Sequence, residues 1–214
     1  MSDITYDYME EYIRSLIIDR EGILKEIEDS ARENGVPIVQ KETGVFLEFM
    51  TSMKKPKRIL ELGTAVGFSS ILMYEASGTE PDIVTIERDE KMIELATLNL
   101  DKFNLSHKIK IEQGDCLEVL ENLDEPFDLI FMDAGKGHYN HFLPHCLRLL
   151  KEDGIIVADN VLFRGMVASQ ELVKRRKITI VKRMRTYLEL VTQDKNLITS
   201  VIPMGDGIAV TKRR

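Results

Sequence analysis

From Arg58 onward the chain alternates between two hydrophobic periods, and that alternation restricts its fold more than anything else in the sequence. Five short apolar runs suit strands: RILEL at 58–62, Ile83–Glu87, Ile109–Gln113, Leu129–Asp133 and Ile155–Asp159. Each is followed by helical spacing: Phe68–Ala76, Glu90–Phe103, Leu117–Leu123, Tyr139–Leu150 and a long stretch from about Ser169 to Thr192. Repeated strand–helix units predict a parallel sheet with helices on both faces. The end breaks the pattern, because Leu197–Pro203 and Gly207–Lys212 flank Met204-Gly205-Asp206 and read as an antiparallel hairpin. The expectation is therefore an α/β fold with a mostly parallel, seven-stranded sheet closed by a hairpin.

Ahead of the sheet, amphipathic patterns predict helices at about Thr5–Ile18, Arg20–Asn34 and Glu42–Met53. Gly35 stops the second helix and Pro37 keeps the following chain extended. We read 1–54 as a helical cap and 55–214 as the sheet core of one domain, since no repeat, linker or low-complexity tract divides the 214 residues. Tyr6, Tyr8 and Tyr12 at this spacing read as helix packing.

Composition excludes several classes. No apolar run approaches the roughly 20 residues of a spanning helix, and the acidic start MSDITYDYMEEYIRS lacks a signal peptide's basic and apolar regions, so the expectation is cytoplasmic, with no membrane partner. Two cysteines, Cys116 and Cys146, make no disulfide framework and match no zinc spacing; they read as buried small residues or pocket lining. The net charge of -7 argues against a uniformly basic nucleic-acid binder. Between Arg164 and Tyr187, however, eight basic residues face one acidic, Glu171, a local balance of +7. Such a run is more often a solvated helix face than a site, but a local basic face also recruits polyanions.

The chemistry gathers at strand ends. Phe127–Met132 delivers Asp133, and Gly154–Ala158 delivers Asp159 and Asn160. Parallel strands joined by one crossover helix point their C-terminal ends the same way, so three hard oxygen donors should meet at one edge. That set suits a Mg²⁺-like ion, which takes few protein ligands and keeps open positions. Lys136, three residues past the first donor, is placed to take a proton from a substrate hydroxyl. A lone Asp at a strand end is usually a helix cap; two on neighbouring strands with Asn and Lys beside them favour a site. His138, His141 and His145 also lie at helical spacing, but Pro144 interrupts that pattern and no partner completes a tetrahedral set.

Glu61-Leu62-Gly63-Thr64-Ala65-Val66-Gly67 links the first strand to its helix, where glycines let backbone approach a ligand. Glu87, ending the second strand, is the acid expected to grip a ribose diol. The dinucleotide fingerprint G-x-G-x-x-G is absent.

Taken together, ELGTAVGFSS, Glu87, GDCLEVL, FDLIFMDAGKGHY and the ADN step at 158–160 resemble the cation-dependent O-methyltransferases that use S-adenosylmethionine, with their Rossmann-like class I fold. By that resemblance Gly63, Thr64, Gly67, Phe68 and Ser69 would cradle the methionine part, Glu87 the ribose, and Asp115 with Cys116 the adenine. Val39 would line the same pocket, Asp133, Asp159 and Asn160 would hold Mg²⁺, Asp133 would also approach the methyl donor, and Lys136 would be the base.

VPIVQKE, GKGHY, ADNVLFRGMV, the Lys174–Lys177 run and VIPMGDGIAVTK are similar, over essentially the whole chain, to bacterial tRNA 5-hydroxyuridine methyltransferases. This implies methylation of wobble 5-hydroxyuridine to 5-methoxyuridine, with Arg164, Lys174, Arg175, Arg176, Lys177 and Arg183 as candidate tRNA contacts. The N-terminal helices, in a family whose members often pair, make a homodimer the expectation. The 5-hydroxyl and C4 carbonyl present two oxygens on adjacent ring carbons, as a catechol does. The alternatives are a catechol-type enzyme acting on small phenols, and a non-catalytic RNA binder that keeps the fold.

Overall fold

Strand β1 (Arg58–Leu62) lies inside the sheet with a strand on either side, and its sequence shows why: Ile59, Leu60 and Leu62 are all fully buried. Strands buried on both faces read as continuous apolar runs. The computed structural model describes residues 4–214; residues 1–3 of the expected cap lie outside the described residues. Around β1 stand β2 (Asp82–Glu87), β3 (Ile109–Gln113), β4 (Phe127–Met132), β5 (Leu150–Ala158), β6 (Leu197–Ile202) and β7 (Ile208–Arg213). The order across the seven-stranded sheet is β3-β2-β1-β4-β5-β7-β6. The first five strands run parallel, and β7 pairs antiparallel with both β5 and β6.

Helices α1 (Asp7–Ser15), α2 (Gly22–Glu33) and α3 (Lys41–Lys54) precede the sheet; α4 (Phe68–Ser77), α5 (Glu90–Lys102), α6 (Cys116–Asn122), α7 (Tyr139–Leu149) and α8 (Ile178–Gln193) connect its strands. Alternate residues of each strand serve opposite layers. Ile59 joins the core under α2, α3, α4 and α5, with Leu24, Ile27, Leu47 and Ile71, whereas Leu60 and Leu62 join the core under α6, α7 and α8. Local chemistry sets the helix ends. Asp89 caps α5 by accepting from the N–H groups of Lys91 and Met92, and Asp115 caps α6 by accepting from Leu117 N–H.

Strand order reverses beside β1, whose neighbours β2 and β4 lie on opposite sides. At such a switch point the loops after the two central strands part and leave a crevice. Gly63 follows β1 and Asp133 follows β4, so the two motifs face each other across it.

Three expectations need correction. The long helix expected from Ser169 begins at Ile178; a 3-10 turn, Arg175–Lys177, and a series of turns precede it. Lys174, with φ of -77° and ψ of 134°, has an extended backbone that an α-helix does not permit. Pro144 does not break α7, which runs through it. The buried face of Tyr139, Phe142, Leu143, Cys146 and Leu149 outweighs the roughly 3 kcal/mol that an internal proline costs. Tyr6, Tyr8 and Tyr12 do not pack into the core: they are 72%, 64% and 61% exposed. Instead α1 is held by Arg14, which donates to Glu42 at 2.7 and 2.9 Å and to Gln40 at 2.8 Å.

Candidate active site

Met132 and Ala158 are paired in register, so the next residues, Asp133 and Asp159, emerge side by side from the ends of β4 and β5. Asn160 follows with φ of 60°, a left-handed turn that asparagine tolerates better than most residues. Its N–H donates to Asp159 Oδ1 at 2.6 Å. All three line one cavity of about 580 Å³, together with Lys136.

Two carboxylates placed so close strain each other's charge. Burial, more than anything, raises Asp133 to about 6, with Lys136 pulling it down and Glu61 pushing it up. Asp159 is raised well above the ordinary carboxylate range by burial, then by Asp133 and Asp206. Loss of water and mutual repulsion both disfavour the charged pair, and a cation between them reverses that balance. Among the described residues no group of three or more His, Cys, Asp or Glu side chains stands ready to hold a metal. The set here is instead two carboxylates and an amide, the sparse oxygen donors that a hard, partly hydrated cation uses. The residues therefore fit a divalent ion of the Mg²⁺ kind.

A second cavity, of about 490 Å³, lies on the other side of the same loop and is lined by Gly63, Glu87, Asp115, Cys116, Ala134 and His138 among others. Residues 133–136 thus wall both cavities. Gly63 has φ of 104°, and a Cβ there would lie 2.8 Å from Ala134 Cβ, so only glycine lets the two loops close together. Glu87 accepts from Ala65 N–H at 3.0 Å and from Arg88 and Asp89 N–H at 2.9 and 3.0 Å, holding the glycine loop against the end of β2. Burial, helped by Asp115, pushes the Cys116 thiol up to about 12, so it stays a neutral lining group. Cys146 is buried in the core.

The other expected cofactor contacts turn inward. Thr64 Oγ1 meets Thr85 Oγ1 at 2.7 Å, and Ser69 donates to the fully buried Glu61 at 2.5 Å. Phe68 is buried beneath the Arg20 guanidinium, 5.6 Å from the ring centre. With Gly67 as N-cap of α4, this segment offers backbone rather than side chains to the crevice. Val39 is buried and lines the cavity that holds the carboxylates, not the one at Glu87.

The basic candidates divide. Arg164, Lys174, Arg176 and Lys177 line the carboxylate cavity. Arg175 is exposed beside it, and Arg183 donates to the Gly137 carbonyl at 3.0 Å, tying the GKGHY loop to α8. His138 edges the Glu87 cavity and His141 is exposed, as substrate-edge or surface histidines would be. Sequence reasoning missed Glu61, Asp206, Gln40 and Tyr139. Glu61 sits inside the RILEL run with no apolar reason to be there, and that was a usable signal. Asp206 and Gln40 come from distant loops with no local pattern to mark them.

A sequence profile described as O-methyltransferase matches residues 15–214. The chain belongs to the O-methyltransferase family. The catechol O-methyltransferase of Niastella koreensis is 33% identical over 176 residues, covering 79% of this chain and 80% of that protein. A methyltransferase of Podospora anserina, solved with SAH bound, superposes with a TM-score of 0.88 at 25% identity over 97% of this chain and 94% of its own. The O-methyltransferase TomG of Streptomyces achromogenes, involved in tomaymycin synthesis and solved with SAM, has a TM-score of 0.81 at 26% identity over 100% and 99% of the two chains. This O-methyltransferase thus carries the Rossmann-like class I fold that the family resemblance implies, on the mostly parallel sheet that its β-α alternation predicts. Among its described residues no helix is long and apolar enough to cross a membrane.

Proposed function

We propose that this O-methyltransferase transfers the methyl group of S-adenosylmethionine to the 5-hydroxyl of wobble uridine in tRNA, with a divalent cation held by Asp133, Asp159 and Asn160. The observation that carries the RNA reading is the cavity itself: Arg164, Lys174, Arg176 and Lys177 stand on the same walls as the two carboxylates and Lys136. A small neutral phenol gives four cations nothing to bind, whereas phosphates flanking an unstacked base do.

S-adenosylmethionine, in the cavity bounded by Gly63, Glu87, Asp115 and Cys116, supplies an activated methyl on sulfur, as SAM- and SAH-bound relatives of this fold suggest. A divalent ion held by Asp133, Asp159 and Asn160 would supply charge stabilisation for the acceptor oxygen as its proton leaves. The chain's own residues do the rest. Asp133, between the cavities, orients the acceptor oxygen toward the donor, and near-attack placement contributes most of the acceleration. Lys136 Nζ takes the hydroxyl proton as the oxygen–carbon bond forms and the sulfur–carbon bond breaks, leaving S-adenosylhomocysteine and the methyl ether. Glu87 holds the ribose.

A second reading, a catechol-type enzyme for small phenols, is favoured by the relative in Niastella koreensis. Charge reversal separates them. Arg176→Glu with Lys177→Glu should weaken tRNA binding and make its log–log salt slope shallower by about 1.4, from two single-strand phosphate contacts. Affinity for S-adenosylmethionine should stay unchanged. An unaltered slope for tRNA would remove the RNA reading and leave the phenol.

A further inference from the structure

Tyr139 opens α7 with a fully buried side chain that the transfer step above does not use. Its hydroxyl lies 2.8 Å from the carbonyl oxygen of Met132 and 3.1 Å from that of Asp159, so one phenol proton serves two carbonyls. Those carbonyls belong to the last residue of β4 and to the residue just past β5. The Met132 carbonyl also accepts Asp159 N–H at 3.0 Å, the final rung between the two strands. Beyond it each strand end is tied to its other neighbour: Asp133 N–H donates to the Leu62 carbonyl at 3.0 Å, and past the left-handed Asn160, Val161 N–H donates to the Gly207 carbonyl at 2.9 Å. The Tyr139 hydroxyl adds a side-chain link between the two ends themselves. The ring itself cannot drift, because Tyr187 meets it edge-on at 5.5 Å and Phe142 at 6.5 Å.

Asp133 and Asp159 leave from this point, so the spacing of the two strand ends sets the spacing of their carboxyl groups. A hydroxyl bonded to both carbonyls holds the ends at that spacing.

We propose that Tyr139 is a positioning residue whose hydroxyl ties the end of β4 to the end of β5 and so fixes the separation of Asp133 and Asp159. Its consequence for metal affinity rests on the ion site proposed above; the tie itself does not. Groups that orient ligands from behind typically govern about 10–100-fold in metal affinity.

The test uses the full chain and two variants. Tyr139→Phe keeps the ring and removes the tie. Tyr187→Phe removes a buried hydroxyl that has no hydrogen-bond partner in the same aromatic cluster, and is the control. Amide hydrogen exchange is followed without added metal, and Mg²⁺ is then titrated calorimetrically. Tyr139→Phe should speed exchange about tenfold, one hydrogen bond's worth, at 133–136 and 159–161 together. Exchange in β1 and β2 should be unaffected, and Mg²⁺ affinity should fall about tenfold or more. Tyr187→Phe should change neither. Unchanged exchange at the two strand ends in Tyr139→Phe overturns the proposal, as does uniform acceleration across the sheet, which would assign the side chain to packing alone. If the unaltered protein takes up no Mg²⁺, the ion reading fails by itself, and exchange at the strand ends still decides the role of Tyr139.

Discussion

Asp133, Asp159 and Lys136 share one cavity, and each has a separable signature. Lys136→Ala should lower kcat about 100-fold or more while KM moves little, because proton transfer belongs to the transition state; a pure KM effect in steady-state kinetics would remove Lys136 from the base role. The carboxylates predict a pH dependence of stability. Asp133 has a folded pKa raised from 3.8 to about 6, so the fold favours its protonated form. Its contribution is fully present below pH 3.8 and is lost as pH rises through about 6, and Asp159, raised for the same reasons, adds to that loss. On the proposed ion site Mg²⁺ would bind the ionised pair, so it should raise the melting temperature at pH 7.5 and have little effect at pH 4.5. Equal effects at both pH values, read by thermal melts, would contradict the assignment. These residues were legible in the sequence because each directly follows an apolar run. Glu61, whose charge pushes Asp133 up from inside β1, was read as part of a strand and of the glycine motif but not as a site residue.

The switch point beside β1 makes the loops after β1 and β4 act as one unit, and Gly63 is where they touch. Gly63→Ala should cost about 1–3 kcal/mol from backbone strain, besides the contact with Ala134. That corresponds to a fall of roughly 2–12 °C in Tm, with weaker binding of S-adenosylmethionine. Loss of stability without loss of cofactor affinity would confine Gly63 to packing. Strands and their sites were foreseeable because short continuous apolar runs between glycines and caps are a local signal. The start of α8 was not: Lys174, with φ of -77° and ψ of 134°, is extended and denies a continuous helix before Ile178, and a lysine gives no warning of it. Likewise the tolerance of α7 for Pro144 comes from tertiary packing, which no local pattern announces.

On the scale of the whole molecule, charge is distributed against its average. The chain carries -7 overall, yet the walls of its carboxylate cavity hold Arg164, Lys174, Arg176 and Lys177. An acidic body with a basic mouth repels polyanions everywhere except at the site, which favours productive encounter over unspecific adhesion. Raising salt should therefore slow methylation of tRNA steeply and methylation of a neutral catechol hardly at all. The pairing of sparse oxygen donors with this basic mouth was readable as separate sequence segments. That they face one another depends on the turns of 161–174 folding back over the strand ends, of which the sequence reading took only the part from about Ser169 as helix. The measurement that tests the account most directly is methyl transfer from labelled S-adenosylmethionine to tRNA bearing 5-hydroxyuridine, beside catechol, each with Mg²⁺ and with EDTA. We predict label in the tRNA that depends on Mg²⁺ and is abolished by EDTA; label that persists in EDTA, or that enters catechol but not the tRNA, would contradict the account.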